Sequence, residues 1–216
     1  VDIEKQGQGN GLDWLLTQHQ IVIRDGWVRW RDALRDAPDL SLSRVSFVLQ
    51  NHWLTHKAAL NATPPDELAA PIDVRAEFKH PAFAAHVSDI NQWVGELFVD
   101  WSKTNLDAWK PYINWPYKLV GGTGALRSWL RFDHRVVVNV TADLDLENLS
   151  VQLDEGLEPL KLIAVSGRVS AGEVASGLKQ KILSFGAHGH AITLSNFSLR
   201  TDQGEVLPST TAHHFY

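Results

Sequence analysis

The sequence predicts a mainly β protein, and three observations carry that prediction. Apolar and polar residues alternate over long runs: Ile72, Val74, Ala76 and Phe78 are interleaved with Asp73, Arg75, Glu77 and Lys79. An extended strand places such sets on opposite faces, here one apolar and one fully charged. Turn-forming pairs separate these runs at short intervals. Helical periodicity is confined to a few short segments. Together they predict roughly ten to twelve strands, mostly antiparallel.

Taken in order, Gly11–Gln18 has Leu12, Leu15 and Leu16 on one side and predicts two turns of helix. Asp25-Gly26, between Ile21–Arg24 and Trp27–Arg31, predicts a two-residue hairpin. Val45, Phe47 and Leu49 alternate with Ser46, Val48 and Gln50. Pro64-Pro65 and Pro71 bracket Asp66–Ala70, leaving room for a single turn before the strand at Ile72. Thr104 or Asn105 caps a short helix over Asn105–Trp109 that Pro111 stops. Gly121-Gly122 signals a turn before Leu126, Leu130 and Phe132, which lie opposite Arg127, Trp129 and Arg131. Asp133-His134 is a second hairpin candidate. The longest stripe follows it: Val136, Val138, Val140, Ala142, Leu144 and Leu146, with Asn139, Thr141, Asp143 and Asp145 facing away. Glu173–Leu183 is helical locally, but Ser176-Gly177 in its middle favours a hairpin. Gly186 to Gly189 and Gln203-Gly204 are further turn signals. No linker or exact internal repeat divides the chain.

Composition narrows the function classes. The 216 residues contain no Cys, so a disulfide framework, a zinc ribbon and a thiol nucleophile are excluded. The formal charge is −5 with no basic run, which argues against nucleic acid as a partner. The longest uninterrupted apolar runs are four residues, against the roughly 20 a spanning helix needs. No signal segment opens the chain. With no initiator Met, the chain is expected to be a processed product or a length of a longer protein, with any anchor outside it. Nine Trp are many for this length, and Trp favours half-wet positions.

The chemical motifs are weak. Asp143, Asp145 and Glu147 share one strand face, as an acid/base pair or a hard-cation site requires, yet a solvated face gives the same pattern. His188-Gly189-His190 places two imidazoles in metal-site spacing without a third ligand nearby. His213-His214 lies at the chain end. His52 and His56 are i, i+4 in a segment whose neighbours are not helical. Gly121-Gly122-Thr123-Gly124 lacks the Lys-Ser/Thr of a phosphate loop, and a strand follows it. Asn61, Asn139, Asn148 and Asn196 begin formal glycosylation sequons, several inside strands. No nucleophile elbow is present. A non-catalytic role is therefore expected, with no cofactor and no metal. A hydrolase built on Asp143, Asp145 or Glu147 is a rival. Another is a closed β-sandwich binding glycan or protein through surface Trp such as Trp129 or Trp101. On periodicity alone, a closed core explains the apolar faces most simply.

From Gly26-Trp27-Val28-Arg29-Trp30-Arg31-Asp32 onward the sequence resembles a known family. The resemblance continues through Pro38, Leu40, Leu42, Val45, Phe47, Leu49 and Asn51. It takes in Leu60-Asn61-Ala62-Thr63-Pro64-Pro65 and Leu68-Ala69-Ala70-Pro71-Ile72-Asp73-Val74-Arg75, then Trp93-Val94-Gly95-Glu96-Leu97-Phe98 and Leu106-Asp107-Ala108-Trp109. Gly122-Thr123-Gly124-Ala125-Leu126-Arg127-Ser128-Trp129-Leu130, Val140-Thr141-Ala142-Asp143-Leu144 and Ser166-Gly167-Arg168-Val169 complete the series. In this order they resemble the YhdP-type branch of the AsmA-like proteins of Gram-negative bacteria, over about residues 12–200. Trp53, Trp101 and Lys79–His86 depart from the pattern, and the last dozen residues lie outside it.

The resemblance implies an elongated, curved antiparallel sheet forming a β-groove, with a few short helices. It implies a large periplasmic protein, anchored in the inner membrane by a helix outside this chain, that carries phospholipid between inner and outer membranes in outer-membrane biogenesis. Residues 1–216 would be one segment of that groove. Its partners would be acyl chains and the neighbouring segments of the same full-length protein, with no cofactor and no catalytic residue. Alternation alone then nominates the groove lining: Val45, Phe47, Leu49, Ile72, Val74, Phe78, Leu126, Leu130, Phe132, Val136, Val138 and Val140.

Overall fold

A computed structural model describes residues 7–31, 37–82, 86–113, 118–152, 156, 158–173, 190–207 and 213–215. One helix, α1 (Gly7–Thr17), precedes an antiparallel meander. Its strands are β1 (Gln20–Trp30), β2 (Leu40–His52), β3 (Thr55–Thr63), β4 (Ile72–Lys79) and β5 (Val94–Asn105). They continue with β6 (Lys118–Asp133), β7 (Val136–Gln152), β8 (Leu160–Glu173), β9 (His190–Thr201), β10 (Gly204–Leu207) and β11 (His213–Phe215). A 3₁₀ turn spans Ile90–Gln92. The spatial order follows the sequence from β1 to β10, and β11 also pairs with β9.

All eleven strands lie in one sheet, and β1 finds no partner but β2 among the described residues, so the sheet is open. The closed-sandwich alternative falls on this point. From β1 to β10 each strand pairs with the next in the chain, β11 pairs back onto β9, and among the described residues no strand switches to a second, facing layer.

Three turn expectations change, two of them for one physical reason. Asp25-Gly26 does not turn a hairpin: β1 runs through it, with Asp25 at φ 51° and a register shift between Ile23 and Gly26. A residue pair that tolerates left-handed backbone serves a β-bulge as well as a tight turn. Gly121-Gly122 likewise lies inside β6, beside register shifts against β7. The β6–β7 hairpin turns one residue later than Asp133-His134, at His134-Arg135, whose φ values of 49° and 67° are those of a type I′ turn. Bulged residues with positive φ recur at Arg44, Lys103, Asn148 and Asn196. Two of these are sequon asparagines, and Asn is tolerated in this backbone region better than most residues.

The helical expectations are partly met. The N-terminal helix extends further towards the N-terminus than Gly11. Asp66–Ala70 holds a single turn, in which Leu68 and Ala69 N–H donate to Pro65 O. Asn105 Oδ1 accepts from the N–H of Asp107 and of Ala108, as a cap does, but the segment continues as successive turns rather than a helix. Glu173 ends β8, and Ser176-Gly177 with the rest of that segment lies outside the described residues, as do His188 and Gly189. No helix among the described residues is long and apolar enough to cross a membrane.

Candidate functional site: the apolar face of the sheet

Residues paired across strands share a face, so register shows what each face presents. One row reads Ile23, Phe47, Leu60, Val74, Val99, Ser128, Ala142, Val169 and Leu194 from β1 to β9. The next row reads Ile21, Leu49, Ala58, Ala76, Leu97, Leu130, Val140, Ala171 and Ile192. Only Ser128 interrupts these two rows. The opposite face carries ion pairs. Arg127 bonds Asp100 at 2.9 Å, Arg168 bonds Asp143 at 2.6 Å, and Lys57 reaches Glu77 at 3.0 Å.

The apolar face is roofed at two ends. At one, Leu68 and Ala69 from the β3–β4 connection and Trp109 from the segment after β5 pack on Leu40, Val45, Ala62 and Ile72. Trp109 stacks on Trp101 with ring centroids 5.3 Å apart. At the other, Leu16 of α1 packs with Leu49 and Phe78, joined by Val87 and Trp93. Trp93 stacks on Phe78 at 4.0 Å and donates its indole N–H to Val87 O. Between the roofs, Val74, Val99, Ser128 and Ala142 are half-buried and belong to neither cluster. A third cluster, around Leu146, Leu162, Val165 and Phe197, extends the apolar face across β7–β9.

The twelve nominated residues distribute accordingly. Val45, Leu49, Ile72 and Phe78 are buried beneath the roofs. Phe47, Val74, Leu126, Leu130, Phe132, Val138 and Val140 are half-buried. Val136 is exposed and pairs with Asp133, beyond a register shift between Arg131 and Phe132. That shift puts Val137, not Val136, opposite Phe132 and breaks the stripe that simple alternation extends to Val136. Sequence alternation missed the neighbours that complete the rows, Ala58, Leu60, Leu97, Val99 and Val169. The pattern Gly95-Glu96-Leu97-Phe98-Val99 hides Leu97 and Val99, because Phe98 is apolar on the polar face.

A polar latch fixes α1 at one end of this face. His56, 1% exposed, donates from Nδ1 to Asn51 Oδ1 at 2.7 Å. Asn51 Nδ2 in turn donates to Leu15 O at 3.0 Å and Gln18 O at 2.5 Å, satisfying carbonyls at the helix C-terminus. Asp13 on α1 accepts from Ser88 N–H at 2.8 Å, and that bond holds its carboxyl below the usual range. Burial, with the neighbouring His80 charge second, pushes His56 down to about 4. The unfolded chain binds a proton near the ordinary value of about 6.5, so it holds more protons than the native state between these values. His56 thus contributes stability that is fully present above pH ~6.5 and is lost as pH falls through about 4. Urea unfolding is expected to show a loss approaching about 3 kcal/mol over that window, largely absent in His56→Gln. An unchanged pH dependence in the variant would refute this account.

The candidate acid/base carboxylates lie on the charged face. Asp143 accepts two bonds from Arg168, at 2.6 and 2.8 Å, and that guanidinium holds its carboxyl below the usual range. It is thereby kept as an anion, a poor proton donor near neutrality. Asp145 and Glu147 are exposed. No group of three or more metal-ligating side chains occurs among the described residues.

An open antiparallel meander with one continuous apolar face and one ion-paired face defines a class of protein whose sheet presents apolar surface without a second sheet to bury it. The family described as YhdP protein matches residues 1–215, and the chain belongs to that family. The family is not a known enzyme family and is consistent with a lipid-transport β-groove. No curated protein and no solved structure matches the chain.

Proposed function

We propose that this chain is one length of a longer, inner-membrane-anchored periplasmic groove. Its apolar face holds phospholipid acyl chains on their way between the inner and outer membranes. The observation that carries the proposal is the pair of apolar rows crossing from β1 to β9, backed by an ion-paired face. Burial stabilises a methylene by about 0.8 kcal/mol, so exposing one acyl chain to water costs on the order of 10 kcal/mol. A lipid crossing an aqueous gap therefore needs uninterrupted apolar contact. Such contact is non-directional, so it holds a chain without fixing its position. Among the described residues the sheet ends at β1 on one side and at β10 and β11 on the other, edges that suit continuation into neighbouring segments of the same chain.

Photo-crosslinking residues placed at Val74 and, separately, at Arg75 test this in the full-length protein in cells. Phospholipid adducts are expected at position 74 and not at position 75. Equal labelling of both, or of neither, would sink the proposal.

A further inference from the structure

We propose that the charged face carries a second binding site, a furrow crossing β2–β7 that takes a neutral oligosaccharide strand. It lies on the opposite side of the sheet from the lipid groove and does not depend on it. The furrow encloses about 620 Å³, within the range of small-ligand sites. It spans five inter-strand steps, about 24 Å at the usual strand spacing, so it suits a linear ligand rather than a compact one.

Its floor row is apolar except for Arg75, on a face that is otherwise mostly polar or charged. Val48, Ala59, Phe98 and Trp129 line it, and Trp129 is 38% exposed. The two aromatic rings sit 5.4 Å apart, tilted by 49°. Each is braced by an arginine that an aspartate holds in place. Arg75 lies 5.9 Å over the Phe98 ring and bonds Asp73, while Arg168 lies 5.6 Å over the Trp129 ring and bonds Asp143. A platform fixed before the ligand arrives loses less entropy on binding.

The wall one residue pair along each strand supplies hydrogen-bonding groups. Gln50, Glu96, Arg131 and Asn139 lie along it, with Lys57 and Glu77 paired to each other. Glu96 and Arg131 stand directly opposite in register, yet no ion pair joins them. They offer an acceptor and a set of donors, and the two carboxamides offer both. A sugar hydroxyl needs that mixture, and the apolar C–H face of a sugar ring packs on an aromatic floor. The charges cancel: Lys57 with Glu77, Arg75 with Asp73, and Glu96 with Arg131. A polyanion or an acidic headgroup therefore gains no net attraction here. An extended peptide is disfavoured, because the backbone groups beneath this face are already used within the ladders and only strand edges accept another strand.

The test titrates the 216-residue chain with a tetramer of N-acetylglucosamine and, separately, with maltotetraose, following the indole N–H signals by NMR. At least one sugar is expected to shift the Trp129 signal saturably while leaving those of Trp101 and Trp109 in place. Trp129→Ala should abolish saturation, and Glu96→Gln, which keeps the side-chain shape, should weaken binding about tenfold. The proposal is overturned if neither sugar moves the Trp129 signal, or if binding survives Trp129→Ala or is equal in Glu96→Gln.

Discussion

Gly124→Ala and Gly167→Ala are each expected to destabilise the protein by more than about 3 kcal/mol, whereas Gly121→Ala stays within about 0.5 kcal/mol. Gly124 has φ +142° and Gly167 φ +122°, a region closed to other residues without strain. The added methyl would also have no room. At Gly124 it would fall against Asp145 O and 2.8 Å from Leu146 Cα; at Gly167, against Asn196 O and 2.6 Å from Phe197 Cα. These obstacles are backbone of the adjoining strand, so relief requires the ladder itself to move. Gly121, in the same strand as Gly124, has open space around its Cβ position and no such φ. Thermal unfolding followed by circular dichroism reads the contrast, and a 3 kcal/mol loss lowers Tm by roughly 6–12 °C at this size. Equal shifts in all three variants would show that these close strand approaches do not matter.

The second large effect concerns the groove. Leu130→Asp is expected to reduce co-purifying phospholipid at least tenfold, while Thr141→Asp leaves it unchanged. Leu130 stands opposite Leu97 and Val140 on the apolar face, half-buried in the second row. In the lipid-free protein water still solvates a carboxylate there, so the fold tolerates it. With an acyl chain alongside, that charge must be desolvated, at a cost of several kcal/mol, or leave a wet gap in the lining. Thr141 lies on the other face, its hydroxyl 3.1 Å from that of Ser170, where a charge remains in water. Native mass spectrometry of both variants measures bound lipid directly. Undiminished loading of Leu130→Asp would remove the apolar face from the transport route.

The two faces were legible in the sequence because a strand has period two and the chain keeps that period strictly. Ile72–Lys79 sorts into an apolar and a charged side with no knowledge of its neighbours, and the structure sorts it the same way. For the twelve nominated residues the structure shows burial alone: eleven are buried or half-buried and Val136 is exposed. Val136 leaves the stripe because one shifted pair between Arg131 and Phe132 offsets it, and alternation carries no record of the partner strand's register. Asp25-Gly26 failed because positive φ satisfies a bulge and a turn equally, and only the length of the pairing strand chooses between them. The furrow on the charged face was invisible for a related reason. Phe98 and Trp129 are 31 positions apart in the chain, and only the β5–β6 register brings them together.

The sequence by itself therefore determined that this protein is made of two-faced strands and which residues each face carries. Tertiary structure decided what happens to the apolar face. Alternation is a local property and is identical in a sandwich, where a second sheet buries that face, and in a single layer, where none does. Whether the sheet closes depends on non-local pairing. Here every strand from β1 to β10 takes its chain neighbour as partner, β11 returns only to β9, and among the described residues β1 is not joined to the far edge. The short roofs from α1 and the connecting segments cover only the ends of the face, leaving Val74, Val99, Ser128 and Ala142 half-buried between them.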